Sequence, residues 1–231
     1  MTKPQLIALT GFAGTGKDTV ADLLVAHCGF RKVAFADALR AEVSEAFGVS
    51  LDMLTDRDGK ERPSPHMALE NAPVAFLGSL LLAGVLPGRG TPTFVEALEQ
   101  PRSPRQILQW WGTEYRRAGD SSYWTRALVQ RMGYYRQEFG TQRFVIPDCR
   151  FGNEAETVRR RAGRIWQINR PGIGGQSTTE GQHASATDGS AFAPDLVINN
   201  CHDVRHLAQI ALAEVWGQDS GLRGLRVEVP A

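Results

Sequence analysis

The sequence predicts an α/β fold: a five-stranded parallel sheet with helices on both faces, in three layers. Three observations predict it. Five short apolar runs, 5–10, 31–36, 142–148, 164–169 and 195–199, read as strands. Helix-length segments separate them, the arrangement that gives a parallel sheet. A glycine-rich loop joins the first strand to the first helix.

Taken in order, Gln5–Thr10 is a buried strand, and Asp18–His27 a helix with Val20, Leu23, Leu24 and His27 along one face. Arg31–Ala36 is the second strand, followed by a helix over Asp37–Phe47 with Asp37 as its N-cap. No strand pattern appears from Gly48 to Pro104, and seven prolines break this stretch, which reads as a mainly helical insertion. Helices are predicted over Arg105–Arg117 and Tyr123–Gln137, then a strand over Gln142–Asp148, a helix over Asn153–Arg161 and a strand over Arg164–Asn169. Pro171–Pro194, rich in Gly, Ser and Thr, is expected to be a lid-like loop. Strand Asp195–Asn199 and helix Val204–Trp216 close the pattern. The whole chain is thus expected to be one domain: a core of 5–47 and 142–216, with 48–141 supplying the insertion and core helices.

Composition excludes several function classes. Net charge is +1 over 231 residues, so nothing global points to a nucleic-acid polymer or a membrane surface. Only 4 of the 26 basic residues are lysine; arginine, the residue suited to bidentate phosphate contacts, supplies the rest. Cys28, Cys149 and Cys201 have no metal-ligand spacing and fit a reducing cytoplasm. The N-terminus leads straight into the first strand, which leaves no room for a signal peptide. The longest apolar run, Val74–Leu86, is too short to cross a bilayer and is either core or a homodimer contact.

The loop Gly11-Phe12-Ala13-Gly14-Thr15-Gly16-Lys17-Asp18-Thr19 carries the chemistry. Glycines let successive N–H groups face one point, and the helix start adds its unpaired donors and positive dipole end. Lys17 adds an ammonium for the outer phosphates of a nucleotide. Asp18 stands where Ser or Thr normally ligates magnesium, and Thr19 follows it. A dinucleotide-binding turn is the competing reading, but Ala13 occupies its second glycine place. Asp148 ends an apolar strand, where phosphoryl-transfer enzymes place a carboxylate beside the metal, and Arg150 follows two residues on. Arg40 lies just beyond a strand end, and Arg170 at the hinge of the 171–194 loop. Arg159, Arg160 and Arg161 read as solvated charges. His202 and His206 read as part of an amphipathic helix rather than a metal site. Asp56-Arg57-Asp58-Gly59 lacks the preceding strand and later motif of a GTPase.

Four segments together resemble the phage deoxynucleoside monophosphate kinase family: Gly11 to Asp22, Phe35-Ala36-Asp37-Ala38-Leu39-Arg40, Leu108-Gln109-x-x-Gly112-Thr113-Glu114-x-x-Arg117, and Asp148-Cys149-Arg150-Phe151-x-Asn153-Glu154. The Lys17-Asp18 pair is part of that family's loop. The resemblance runs in order from about residue 5 to 200. Asp37-Ala38-Leu39-Arg40 is also similar to the adenylate kinase segment whose arginine grips the acceptor monophosphate. The resemblance implies a nucleoside-monophosphate-kinase-like fold, with ATP and Mg2+ as cofactors and a deoxynucleoside monophosphate as acceptor. It implies that Gly11, Ala13, Gly14, Thr15, Gly16, Lys17, Asp18 and Thr19 hold the nucleotide, and that Asp18 and Asp148 hold the metal. Asp37, Arg40, Gln109, Glu114, Arg117, Arg150, Asn153 and Glu154 would face the acceptor. Lys17, Arg40, Asp148, Arg150 and Arg170 would serve the transfer. The chain departs from the family pattern at His183-Ala184-Ser185-Ala186, which lacks an acidic residue, and at Asn199-Asn200, which no glycine follows. Another small-molecule kinase of the same fold, such as a dephospho-coenzyme A or phosphomevalonate kinase, is an open alternative. So are a nicotinamide-dependent oxidoreductase and a non-catalytic nucleotide-binding module.

Overall fold

The computed structural model describes residues 5–56, 58–173 and 192–217. The chain divides into two compact units, 1–35 with 127–231, and 36–126. The second unit takes in 36–47 together with the expected helical insertion of 48–104, and 127–141, within the stretch expected to hold core helices, goes with the sheet.

In the first unit a parallel sheet runs in the order β2-β3-β1-β4-β5. Its strands are β1 (Leu6–Thr10), β2 (Arg31–Lys32), β3 (Phe144–Ile146), β4 (Arg164–Asn169) and β5 (Leu196–Asn199). All five residues of β1 are buried, as expected for a central parallel strand covered on both faces. Alternation sorts the side chains. Ile7, Leu9, Val145, Trp166, Ile168 and Ile198 join one core cluster with Val20 and Leu24 of α1 (Lys17–Cys28). Leu207, Ala211 and Leu212 of the last helix complete that cluster. On the other face Leu6 lies beside Gly163 and Val158, where a Cβ on Gly163 would fall 2.9 Å from Leu6 and 2.7 Å from Val158. The sheet is therefore the middle of three layers.

The second strand is shorter than expected, and helix α2 (Phe35–Phe47) begins two residues before Asp37. The reason is distant in sequence. Asp148 Oδ1 accepts a hydrogen bond from Phe35 N at 2.9 Å, taking up one of the donors that a helix start leaves unpaired. Asp37 is therefore not the N-cap; it sits in the first turn, its carboxylate 3.6 Å from the Arg40 guanidinium.

The second unit is helical, as its lack of a strand pattern predicts. Its helices after α2 are α3 (Leu51–Thr55), α4 (Val74–Leu82), α5 (Pro92–Glu99) and α6 (Pro104–Trp110). A π-helical turn, Trp111–Arg117, continues α6. The prolines mostly start helices rather than break them. Pro92 and Pro104 occupy first-turn positions behind N-caps Thr91 and Ser103, whose hydroxyls accept from Phe94 N and Gln106 N. The apolar run splits by face: Phe76 and Leu80 of α4 are buried, whereas Val74 and Leu82 are exposed. Phe47, Phe76, Trp111 and Tyr115 form an aromatic cluster of edge-to-face and tilted pairs with ring centroids 4.8–6.5 Å apart.

The chain re-enters the first unit along α7 (Tyr123–Phe139), and α8 (Gly152–Arg159) and α9 (Val204–Trp216) follow. No helix among the described residues is long and apolar enough to cross a membrane.

Candidate active site

β1 enters the sheet centre and delivers the glycine loop at its C-terminal edge, where the chain order reverses across β1. Gly11, Gly14 and Gly16 all have left-handed backbone, with φ of 124°, 79° and 104°. At Gly11 the demand is absolute: a Cβ there would lie 2.3 Å from the Ile168 carbonyl oxygen on β4. Gly16 ends the loop as the N-cap of α1 and has no side chain to offer its amides, so the helix start faces the hollow of the loop. Buried Thr15 braces the turn, its hydroxyl donating to the Phe12 carbonyl at 3.0 Å. Ala13 is exposed and Thr19 is half-buried in the first turn of α1.

Lys17 folds back over this loop. Its ammonium donates to the Gly11 carbonyl at 2.7 Å and to the Phe12 carbonyl at 2.5 Å. Burial, and then the positive charge of Arg150, lower its pKa to about 8; Asp18 and Asp148 oppose the shift. That electrostatic coupling brings Lys17, Asp148 and Arg150 into one neighbourhood. The backbone explains it: Cys149 N donates to the Leu9 carbonyl, so the segment after β3 runs beside the end of β1.

Two expected site residues have partners within the protein. Glu154 is buried, and its Oε2 accepts from Arg150 N at 2.8 Å and Phe151 N at 3.1 Å. It fixes the turn that presents Arg150. Asp18 is four-fifths exposed and pairs with Lys32 at 3.3 Å, while Lys32 also binds Asp22 at 2.9 Å. Among the described residues no cluster of three or more His, Cys, Asp or Glu side chains is arranged to hold a metal. Asn153 is half-buried in the first turn of α8, and its carbonyl accepts from the Thr157 hydroxyl. Arg170 is exposed just past β4. His183, Ser185 and most of the expected lid lie outside the described residues.

The second unit holds the other expected acceptor residues. Asp37 and Arg40 share the first turns of α2, Gln109 ends α6, and Glu114 and Arg117 stand on the π-helical turn. Such a turn is rare and is often found at functional sites. Leu39 packs where Gly112 has no side chain, at 3.4 Å from a Cβ placed there. The residue that organises these elements was not anticipated. Glu42 of α2 accepts from Trp111 Nε1 at 2.8 Å, Arg116 Nε at 2.8 Å and Tyr123 OH at 2.5 Å. Arg116 also covers the Tyr115 and Tyr123 rings. Asn200, just past β5, stands out in the sequence only as a departure from the resembled family's pattern, yet its Nδ2 donates to the Thr15 carbonyl at 3.0 Å.

No family model matches the chain. A provisionally named deoxynucleotide monophosphate kinase of Acanthamoeba polyphaga mimivirus is 27% identical over 180 residues, 75% of this chain and 78% of that protein. A shikimate kinase of Geobacter sulfurreducens is 37% identical over 84 residues. That match covers 36% of this chain and 42% of the kinase, so the chain spans less than half of that relative. A solved dephospho-CoA kinase of Campylobacter jejuni aligns over 92% of this chain and 96% of its own, at 13% identity and a TM-score of 0.44. A sugar kinase of Janibacter aligns over 91% and 93%, at 15% identity and a TM-score of 0.42. Scores this low decide nothing about the chain. The loop geometry and the two sequence likenesses together support a P-loop kinase with a small-molecule acceptor.

Proposed function

We propose that the protein transfers the γ-phosphoryl group of ATP to a deoxynucleoside 5′-monophosphate, giving the diphosphate and ADP. The observation that carries the choice of acceptor is the 180-residue likeness to the mimivirus protein, whose name gives that activity. The loop supports the donor side, since glycine φ angles and a lysine over the hollow suit a polyphosphate.

The chemistry follows from the acceptor. A phosphate monoester loses its second proton at about pH 6, so near neutrality its oxygen is already a nucleophile and needs no base. The obstacle is repulsion between two anions. In the first unit, loop amides, Lys17 and Arg150 would answer it with positive charge held in place, so the donor phosphates react with little reorganisation, and Arg40 of the second unit would serve the acceptor. At pH 7 a Lys17 pKa of about 8 leaves the ammonium mostly charged. Phosphate oxygens arriving at the loop would take over the ammonium from the Gly11 and Phe12 carbonyls. Magnesium usually keeps several waters and takes one or two carboxylates beside substrate phosphates. Asp148 and, once turned from Lys32, Asp18 would hold the ion, which would supply further positive charge beside the phosphates.

The 84-residue likeness to shikimate kinase favours a second reading, a kinase for another small acceptor. ADP release measured against the four deoxynucleoside monophosphates, their ribose counterparts and hydroxyl acceptors tests both. Stimulation by a deoxynucleoside monophosphate is expected. Stimulation by a hydroxyl acceptor alone would favour the second reading.

A further inference from the structure

At the C-terminal edge of the sheet a row of amide side chains leads into the glycine loop. Gln167 Nε2 donates to Asn169 Oδ1 at 2.9 Å, and Asn169 Nδ2 reaches Asn199 Oδ1 at 3.5 Å. Asn200 N donates to the Asn169 carbonyl at 2.7 Å, fastening the first residue past β5 to the end of β4. From that anchored backbone the Asn200 side chain crosses to the loop and donates to the Thr15 carbonyl at 3.0 Å. It also fills the place of the missing side chain at Gly16: a Cβ there would meet Asn200 Nδ2 at 2.8 Å.

The chemistry of this contact concerns the peptide between Thr15 and Gly16. Its carbonyl is pinned by Asn200, so its N–H, trans to that carbonyl, has one orientation. Thr15 is pinned a second time through its hydroxyl on Phe12. Thr15 is thereby fixed from two sides before any ligand arrives. Binding is stronger when such ordering is already in place. Asn200 has no local signature: it lies 185 residues from Thr15, in a segment that departs from the resembled family's pattern.

We infer that Asn200 is a positioning residue for the polyphosphate of the nucleotide: it presets the Thr15–Gly16 peptide and so sets affinity for ATP rather than for the acceptor. The inference rests on the phosphate-loop reading but not on the identity of the acceptor.

The test is calorimetric titration of the full chain with MgATP, no acceptor present, for wild type, Asn200→Ala and Asn200→Asp, alongside thermal melting. Asn200→Ala removes one hydrogen bond and is expected to weaken MgATP binding about tenfold. Asn200→Asp sets an anionic oxygen against the Thr15 carbonyl and near the phosphates, and is expected to weaken it further. Melting temperatures are expected to move by no more than about 4 °C. In steady state the KM for ATP should rise while the KM for the acceptor holds. If wild type binds MgATP and both variants bind it equally well, the inference about Asn200 is overturned and the loop reading stands. If the two KM values rise together, Asn200 is merely structural and the inference is likewise overturned. If wild type does not bind MgATP, the loop reading falls and takes the inference with it.

Discussion

Lys17 Nζ lies 2.7 Å from the carbonyl oxygen of Gly11, the first residue of its own loop. With its second bond to Phe12, the ammonium closes the loop on itself. On the proposed reading, phosphates that enter would draw it off these carbonyls, and the same side chain would serve both the resting loop and the charged transition state. Lys17→Ala is expected to cut turnover on the order of 100-fold or more. Its melting temperature should fall by no more than about 4 °C. ADP release and thermal melting check this. Near-normal ADP production by Lys17→Ala would count against the whole scheme.

The acidity of Lys17 gives a pH dependence with a definite sign. Its charged form is the useful one, and the proton leaves as pH rises through about 8. The kcat/KM for ATP is therefore expected to fall on the alkaline side with an apparent pKa of about 8, since that ratio reports the free enzyme. On the acid side the acceptor's own ionisation sets a limb at about pH 6. Arg150→Ala removes a like charge beside Lys17 and should move the alkaline limb upward. In Lys17→Arg the alkaline limb should vanish, because guanidinium does not deprotonate in this range. A profile flat to pH 10 in wild type would contradict the assignment.

Gly11 and Gly133 separate a demand for shape from a general intolerance of side chains. At Gly11 a methyl group meets the Ile168 carbonyl oxygen at 2.3 Å, backbone against backbone, at a φ of 124°. Gly11→Ala is expected to abolish measurable MgATP binding. Gly133 lies within α7 with nothing within 4 Å of its would-be Cβ. Gly133→Ala should stabilise the protein by roughly 0.5–1 kcal/mol and leave binding unchanged. Equal binding by both variants would show that the loop does not hold phosphate.

Glu42 makes a parallel case in the second unit. Its carboxylate accepts from Trp111, Arg116 and Tyr123, which lie 69 to 81 residues away. Glu42→Ala is expected to cost on the order of 2–3 kcal/mol in urea unfolding, because charged hydrogen bonds are lost and their donors stranded. It should also raise the KM for the monophosphate more than that for ATP, since it fixes the turn that carries Glu114 and Arg117. A cost below about 0.5 kcal/mol would place Glu42 among ordinary exposed ion pairs.

These residues mark how far the sequence could be read. The five strands and the glycine loop are legible because apolar runs and glycine spacing are local signals. The extent of β2 and the start of α2 are not, since Asp148 caps Phe35 N from 113 residues away. With that cap hidden, Asp37 looked like the helix start. Glu154 shows the converse: it stands in a motif with other expected acceptor residues, yet its burial and its two backbone donors make it a brace for Arg150. Glu42 has no signature in the sequence, and Asn200 stands out there only as a departure from the resembled family's pattern. Each acts through a single long-range contact set, and neither leaves a periodicity or spacing of its own.

The most direct measurement is the fate of the label from γ-32P ATP incubated with the protein and one deoxynucleoside monophosphate. The account expects label in the β-phosphate of the deoxynucleoside diphosphate, dependent on acceptor and lost in Lys17→Ala. Label found only as inorganic phosphate, at the same rate with and without acceptor, would contradict it.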